Sequence, residues 1–418
     1  MTKRFSQNSL FLNESNSKHR LKVKSLMTLV EKHPYRENIE KTFGTEEIGD
    51  EFILIDHIDT VYSRLTKILK ENSRFNIQAA RKNISLVEQI IEVEGIAGTP
   101  IKFVFDECLN ENGEIINDLE AFAIYDAKNM FLNQYEMAKY ANHLYKGKQF
   151  ELVRYNIEYF KSQAAEARVP GKPRSYRLIE NDGELFVRGI TSVNQYNEYG
   201  VDFAFVVAML TFHQMMKDFP GDNYAISSAA LSASKLEVIV ESKILKEAEG
   251  FGKVSSSTVV STNDLGNASF KFLNIVKVGI QESRGFYIFP DSKSDYKNEL
   301  VIPHNTKADR VLAMVKDSKD VIHSTDDFID ELKKVKGITT PDELRVQILL
   351  RLENSKTELK SMKNVKDLFN KSISNTIENF AKLLEMCRKA EELDIDYDLK
   401  DKLRYIISEI ILNKKSKS

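Results

Sequence analysis

Asp291, Asp295 and Lys297 lie in "FPDSKSDYK", directly after an apolar run. Two carboxylates and a lysine are the set with which some nucleases hold a metal and position its activated water. That chemistry needs the groups on adjacent, converging strands, and the short interval between the two acids leaves room only for a loop. "EGFGKVSSST" raises a phosphate-loop reading through Gly250, Gly252 and Lys253. Such a loop requires a glycine five positions before the Gly-Lys pair and a Ser or Thr after the lysine. Glu247 and Val254 occupy those positions, so the stretch reads as a turn between strands. The histidines are scattered, and none pairs with another at the i, i+4 spacing of a helical zinc face. His213 falls in an apolar helix and reads as a satisfied core residue. "HSTDDFIDE", from His323, reads as a helix start rather than a calcium loop. Neither Cys108 nor Cys387 has an activating motif, and no serine sits in a nucleophile elbow. The sequence therefore offers no catalytic residue, no cofactor site and no metal ligand set.

The segment "RVPGKPRSYRLI", residues 168 to 179, carries four basic side chains and no acid in a chain whose formal net charge is −2. Arg168, Lys172, Arg174 and Arg177 can contact phosphates, and Tyr176 can stack on an unpaired base. If "RSYRLI" is a strand, Arg174 and Tyr176 share a face, as a stacking platform beside a phosphate clamp requires. Arg188 on the next strand and Arg20, Lys22 and Lys24 near the N-terminus extend the basic set. The other reading is a solvated Pro-Gly-Lys-Pro linker whose arginines pair with acids such as Glu180 or Asp182.

The 418 residues allow two or three domains, and 42% apolar with 29% charged residues is the balance of an ordinary soluble protein. The 60 basic and 62 acidic residues exclude a polycation that coats nucleic acid, although a local basic patch is compatible with them. Two distant cysteines fit a reducing compartment. The first residues lack a signal-peptide run, and the longest apolar stretch, Phe203 to Phe212, is too short to span a bilayer. The expectation is a cytoplasmic protein of a bacterial host cell with no membrane partner.

The elements that must position these groups form three regions. Residues 1–55 read as a basic N-terminal arm and connecting segment. Residues 56–305 read as an α+β core with a sub-boundary near 166–173, and residues 306–418 as a helical C-terminal region. The fold class is α+β, a mixed but mainly antiparallel β-sheet core with packed helices. A helix is expected over Asp56–Asn72, a strand in "TPIKFVFDE", an Asn-Gly hairpin in "NENGEII", and a tyrosine-rich helical region from Asp126 broken near "KGKQ". "RSYRLI" and "GELFVRGITS" form strands joined at Asn181-Asp182-Gly183, and "VDFAFVVAMLTFHQMMKDF" is a buried helix ending at Pro220-Gly221. Leu236, Val238 and Val240 alternate with polar residues as in a half-buried strand. Thr340-Pro341-Asp342-Glu343 is a capping box, and Ile373, Ile377, Phe380, Leu384 and Cys387 make a short heptad-like seam.

In order, "RSYRLI", its hairpin, "AISSAALSASKLEVIV" and "SSSTVVSTNDLGNASFKFLNIVKVG" resemble the phage/plasmid-like proteins of an uncharacterised mobile-element domain family, over roughly residues 160–290. That family has an Asn-Ser-Glu-x-Gly-like turn, and here the turn is Asn263-Asp264-Leu265-Gly266, without the Ser-Glu pair. The resemblance implies a phage or mobile-element setting rather than a reaction. Three readings follow. The first is a non-enzymatic protein that associates with nucleic acid, single-stranded DNA or RNA, in replication or recombination. The second is a structural or assembly protein acting through a protein partner or through self-association of its C-terminal helices. The third is a metal-dependent nuclease.

Overall fold

The computed structural model describes residues 5, 7–12, 20–88, 100–164, 172–266, 268–281, 284–290, 298–316, 322, 328–330, 332, 340–370, 377 and 379–412. In chain order the strands are β1 (Asn8–Phe11), β2 (Leu21–Lys22), β3 (Phe52–Ile53), β4 (Ser73–Ala79), β5 (Ile84–Glu88), β6 (Ile101–Phe105), β7 (Cys108–Leu109), β8 (Ile115–Ile116), β9 (Leu119–Ala123), β10 (Arg174–Asn181) and β11 (Glu184–Ser192). They continue with β12 (Tyr224–Leu231), β13 (Lys235–Ala248), β14 (Gly252–Asn263), β15 (Phe270–Gln281), β16 (Arg284–Ile288) and β17 (Glu299–Ile302). The helices are α1 (Val23–Met27), α2 (Arg36–Phe43), α3 (Ile58–Glu71), α4 (Ala127–Asn133), α5 (Ala138–Lys146), α6 (Phe150–Ala164) and α7 (Gly200–Asp218), followed by α8 (Ala308–Lys316), α9 (Pro341–Glu353), α10 (Lys363–Phe369), α11 (Phe380–Glu391) and α12 (Tyr397–Ile411).

Two sheets organise the α+β fold. One runs β1-β12-β13-β14-β15-β16 with β17 on β15, and the other runs β5-β6-β9-β11-β10-β4-β7-β8. Pairing is antiparallel throughout these sheets except between β9 and β11. Helix α7 is apolar on every side because it lies inside the main core, packed on β13 and β14 and against α1 and α8. Its C-terminal turn stops before Pro220, which cannot continue a helix.

The N-terminal region is not a loose arm. Strand β1 pairs with β12, β2 pairs with β3, and Val23, Leu26 and Val30 are buried in the same core as α7. Their apolar spacing gives this segment more to bury than its basic residues lose by docking.

The alternation of β13 sends Leu236, Val238 and Val240 to the α7 core. The opposite face is also covered, because Ile239, Val259, Ile275 and Tyr287 pack with Tyr405 of α12. The first half of the strand expected to be half-buried is thus enclosed on both faces, by α7 on one and by the helical C-terminal region on the other. The heptad-like seam is consumed there as well. Phe380 meets Phe251 edge-on at 4.9 Å, and Leu384 and Cys387 are buried in the core shared with β15 and β16, so these side chains do not form a self-association stripe. Ile373 lies outside the described residues, as do Asp291, Asp295, Lys297 and His323. Thr340 and Glu343 form the expected capping box at the start of α9. Among the described residues no helix is long and apolar enough to cross a membrane.

Enclosing β13 leaves Glu237 largely covered, its side chain 14% exposed. Tyr397 donates its hydroxyl hydrogen bond to Glu237, Arg404 Nη1 donates to the same hydroxyl at 3.1 Å, and Arg404 grips Glu391 through Nε and Nη2 at 2.9 and 2.8 Å. Burial, with Asp401 adding to it, pushes the Glu237 carboxyl up to about 8 against the pull of Arg404 and Tyr397. A folded-state value above the unfolded one means that the folded chain holds the extra proton, so this group's contribution is complete below the ordinary carboxylate range and is lost as pH rises toward 8. Urea unfolding of the wild type and Glu237→Gln between pH 5 and 9 should show the wild type losing stability relative to the variant as pH rises. Parallel pH profiles for the two proteins would contradict this account of the docked helices.

Candidate ligand-binding site

The β10–β11 hairpin closes through Asp182 and Gly183, both with positive φ (52° and 76°), the backbone that a two-residue hairpin turn of the primed type needs. Alternation along β10 places Tyr176 and Leu178 in the core beneath α4, α5 and α6, and Ile179 in the α7 core. Arg177 and Arg188 occupy the middle of this hairpin and are 1% and 0% exposed. Their counter-charges come from elsewhere. Glu198 forms ion pairs with both, Asp264 Oδ2 lies 3.5 Å from Arg188 Nη1, and the Asp264 carbonyl accepts from Arg177 Nη1 at 2.6 Å. Burial alone would raise the Glu198 carboxyl, but Arg188 and Arg177 outweigh it and hold the group well below the usual range.

Asp264 belongs to the Asn263–Gly266 turn, which presses against the hairpin. A Cβ at Gly189 would stand 2.7 Å from the Leu265 carbonyl, and one at Gly266 (φ +87°) would stand 2.8 Å from Thr191 Cγ2. These two glycines let the backbones of the two sheets touch.

Glu198 also lines a cavity of about 650 Å³, within the range of small-molecule sites. Its lining includes His33, Tyr35, Arg74, Asn76, Glu198 and Asp202. Arg74 and Asn76 alternate onto one face of β4. Asp202 sits in the first turn of α7, where the helix dipole favours an anion. Arg74 Nη2 donates to Asp202 Oδ2 at 2.7 Å, and Asn76 Nδ2 donates to Glu198 Oε2 at 3.0 Å. His33 is committed on both nitrogens. Its Nδ1 accepts from the Tyr35 backbone N–H at 3.1 Å, so its Nε2 carries the proton and donates to the Tyr199 carbonyl at 2.8 Å. Burial lowers its pKa, which keeps the ring neutral. Tyr196 is clamped, with the Arg177 guanidinium 4.5 Å from its ring centre and His304 stacked at 4.6 Å.

The Arg74–Asp202 ion pair lines the cavity beside Asn76, Glu111 and Glu198. Asp202 is 6% exposed, yet its Oδ1 has no hydrogen-bond partner, and neither do Asn76 Oδ1 and Arg74 Nη1, the latter lying 3.8 Å from Asp264 Oδ2. A Cβ at Gly200 would collide with Asp202 Oδ1 and stand 3.2 Å from Arg74 Nη1, so the ion pair occupies the space that this glycine leaves.

The basic residues expected to act together are dispersed. Lys22 and Lys24 both pair with Asp50, at 2.9 and 2.8 Å, and their hydrogen bonds lower its carboxyl to about 2. Arg20, Lys172 and Arg174 are exposed, and Arg168 lies outside the described residues. Tyr176 is fully buried between Phe103 and Phe105, with its hydroxyl accepting from Gln134, so it offers no face to a base. Arg177 and Arg188 are closed off from phosphates by their acids, because a strand covered on both faces has no solvent side. Arg74, Glu198, Asp202, Asp264 and His33 were not singled out from the sequence, although Asp202 is a lone acid in an otherwise apolar helical run. Among the described residues no group of three His, Cys, Asp or Glu is placed to hold a metal ion. Comparisons with protein families, with curated proteins and with solved structures find no match to this chain.

Removing one member of a buried charge network leaves the rest uncompensated, at a cost of about 3–5 kcal/mol. Asp264→Ala should lose stability on that scale in denaturant unfolding, whereas Asp50→Ala, which frees only solvent-facing lysines, should unfold close to the wild-type midpoint. Equal behaviour of the two variants would mean that the network is not a structural keystone.

Proposed function

We propose that this protein is a binding protein whose cavity between the N-terminal segment, β4 and the start of α7 takes a small polar ligand. The observation that carries this reading is the cavity of about 650 Å³, whose lining sets the Arg74–Asp202 ion pair beside His33, Tyr35, Asn76 and Glu198. Nearby charges largely compensate one another, as Arg74, Arg177 and Arg188 face Glu198, Asp202 and Asp264. The balance favours a neutral or zwitterionic molecule over a polyanion. His33, committed on both nitrogens, supports binding rather than proton transfer at this wall.

A second reading, association with unpaired nucleic acid in a phage or mobile-element setting, draws on a different surface. Helix α6 leaves Tyr155 70% and Tyr159 52% exposed. Phe160 of the same helix touches Tyr135, which carries the Arg81 guanidinium 4.8 Å from its ring centre. Arg174, opposite Ala79 in the sheet, and Lys172 are exposed at that end of β10. Tyrosine faces beside cations suit stacked bases and their phosphates.

Thermal-shift screening of small polar metabolites should find a compound that raises the melting temperature of the wild type and of Asp50→Ala but not of Asn76→Ala. Saturation at a hundredfold the Kd stabilises by about 2.7 kcal/mol, readily seen as a shift. A compound that stabilises all three proteins equally would place binding elsewhere. For the second surface, fluorescence anisotropy with a labelled single strand should show affinity that falls with salt and about tenfold weaker binding by Tyr155→Ala/Tyr159→Ala. Absence of binding even at low ionic strength removes that reading.

A further inference from the structure

We infer that a second cavity, at the seam of the seven-stranded sheet, binds a small molecule through its carboxylate. The site is separate from the cavity beside α7 and does not rest on that reading. Strands β12 and β16 stand four steps apart in the sheet, about 19 Å if it were flat. Ser227 on β12 and Tyr287 on β16 nevertheless hydrogen-bond through their hydroxyls at 2.7 Å. The sheet is therefore rolled toward a barrel, and among the described residues no ladder joins these two strands. Barrel mouths are common places for small-molecule sites. Here a cavity of about 390 Å³ opens between Leu12, Ser227, the β15–β16 pair and the C-terminal end of α11.

The charges of this cavity are matched except for one. Lys277 Nζ pairs with Glu241 at 2.9 Å, its stem crossing Gly285, where a Cβ would stand 2.9 Å from Lys277 Cγ. Arg284 pairs with Glu392 at 3.2 Å. Both Glu391 oxygens accept from Arg404, at 2.8 to 3.0 Å. Arg388, the remaining charge on the lining, is half-buried and has no hydrogen bond or ion pair among the described residues. None of its nitrogens is sealed from solvent, so the guanidinium is open to a ligand.

One unmatched guanidinium asks for one negative charge. Its parallel N–H groups fit the two oxygens of a carboxylate, a match in geometry as well as in charge. A phosphate dianion brings a second charge, which would have to draw Arg284 away from Glu392. Leu12 and the aliphatic stems of Arg284 and Arg388 supply apolar surface for the body of the ligand. For the fold alone, a partly desolvated charge without a counter-charge is a cost rather than a support.

Isothermal titration of the full chain with benzoate, benzamide and inorganic phosphate, at an ionic strength fixed with chloride, tests the class. Benzoate should saturate one site, with benzamide at least about tenfold weaker and phosphate weaker than benzoate. Arg388→Met should weaken benzoate at least about tenfold, and Arg388→Lys, which keeps the charge but loses the fork, should fall between. Without ligand, Arg388→Met should unfold in urea at or above the wild-type midpoint, because it removes a charge that no acid neutralises. Asn76→Ala should bind benzoate as the wild type does, so failure at one cavity is distinguishable from failure at the other. Absence of saturable benzoate binding, equal affinity for benzamide, or unchanged affinity in Arg388→Met overturns the inference. Phosphate binding tighter than benzoate overturns the carboxylate assignment, and a lowered midpoint in Arg388→Met makes the arginine a structural residue.

Discussion

Two arginines buried in the middle of one hairpin constrain everything around them. Arg177 and Arg188 cannot reach water from β10 and β11, and a buried guanidinium without a counter-charge is too costly to keep. Their acids must therefore be brought to them. Glu198 arrives on the loop that enters α7, and Asp264 on the turn between β14 and β15. That requirement fixes the approach of the two sheets, and Gly189 and Gly266 are the positions where any side chain would keep them apart. It also sets the start of α7, since Gly200 N–H bonds Asp264 Oδ1 at 3.3 Å.

The cavity is a by-product of the same demand. Helix α7 is apolar almost throughout because it fills the core, and Asp202 in its first turn is the charge that lies buried. That carboxylate is paired on one side by Arg74, whose second nitrogen leans toward Asp264. Structural network and binding wall thus share atoms, so affinity and stability are coupled at this place. The C-terminal helices stand apart from it. They cover the far face of the seven-stranded sheet and have their own buried charges, Arg404 with Glu391 and Glu237 with Tyr397.

Local chemistry was readable in the sequence. The Asn181-Asp182-Gly183 turn, the buried α7, the break near "KGKQ" and the Thr340 capping box all depend on neighbours a few residues apart, and all are present. Alternation along β10 also assigned the faces: Tyr176 and Leu178 share one core, and Ile179 joins another. What alternation does not carry is whether a face is covered. Tyr176 looked available for stacking because nothing nearby shows that Phe103, Phe105 and Phe131 close over it. The site itself was the least legible part. Its residues come from β4, the loop before α7 and a distant turn, and only the apolar neighbours of Arg177 and Arg188 hinted that these arginines face inward.

The contact between Arg177 and Asp264 spans 87 residues. On a ribosome, which makes the chain from its N-terminus, the arginine-bearing hairpin emerges well before Asp264. Glu198 follows the hairpin closely and pairs with both arginines, but Asp264, their second acid, comes only with the β14–β15 turn. Closure of the long loop is an entropic cost met only when that turn is available. The contact that joins the two sheets is therefore of high sequence separation, and the last part of the charge network to be synthesised is also the part that ties one sheet to the other.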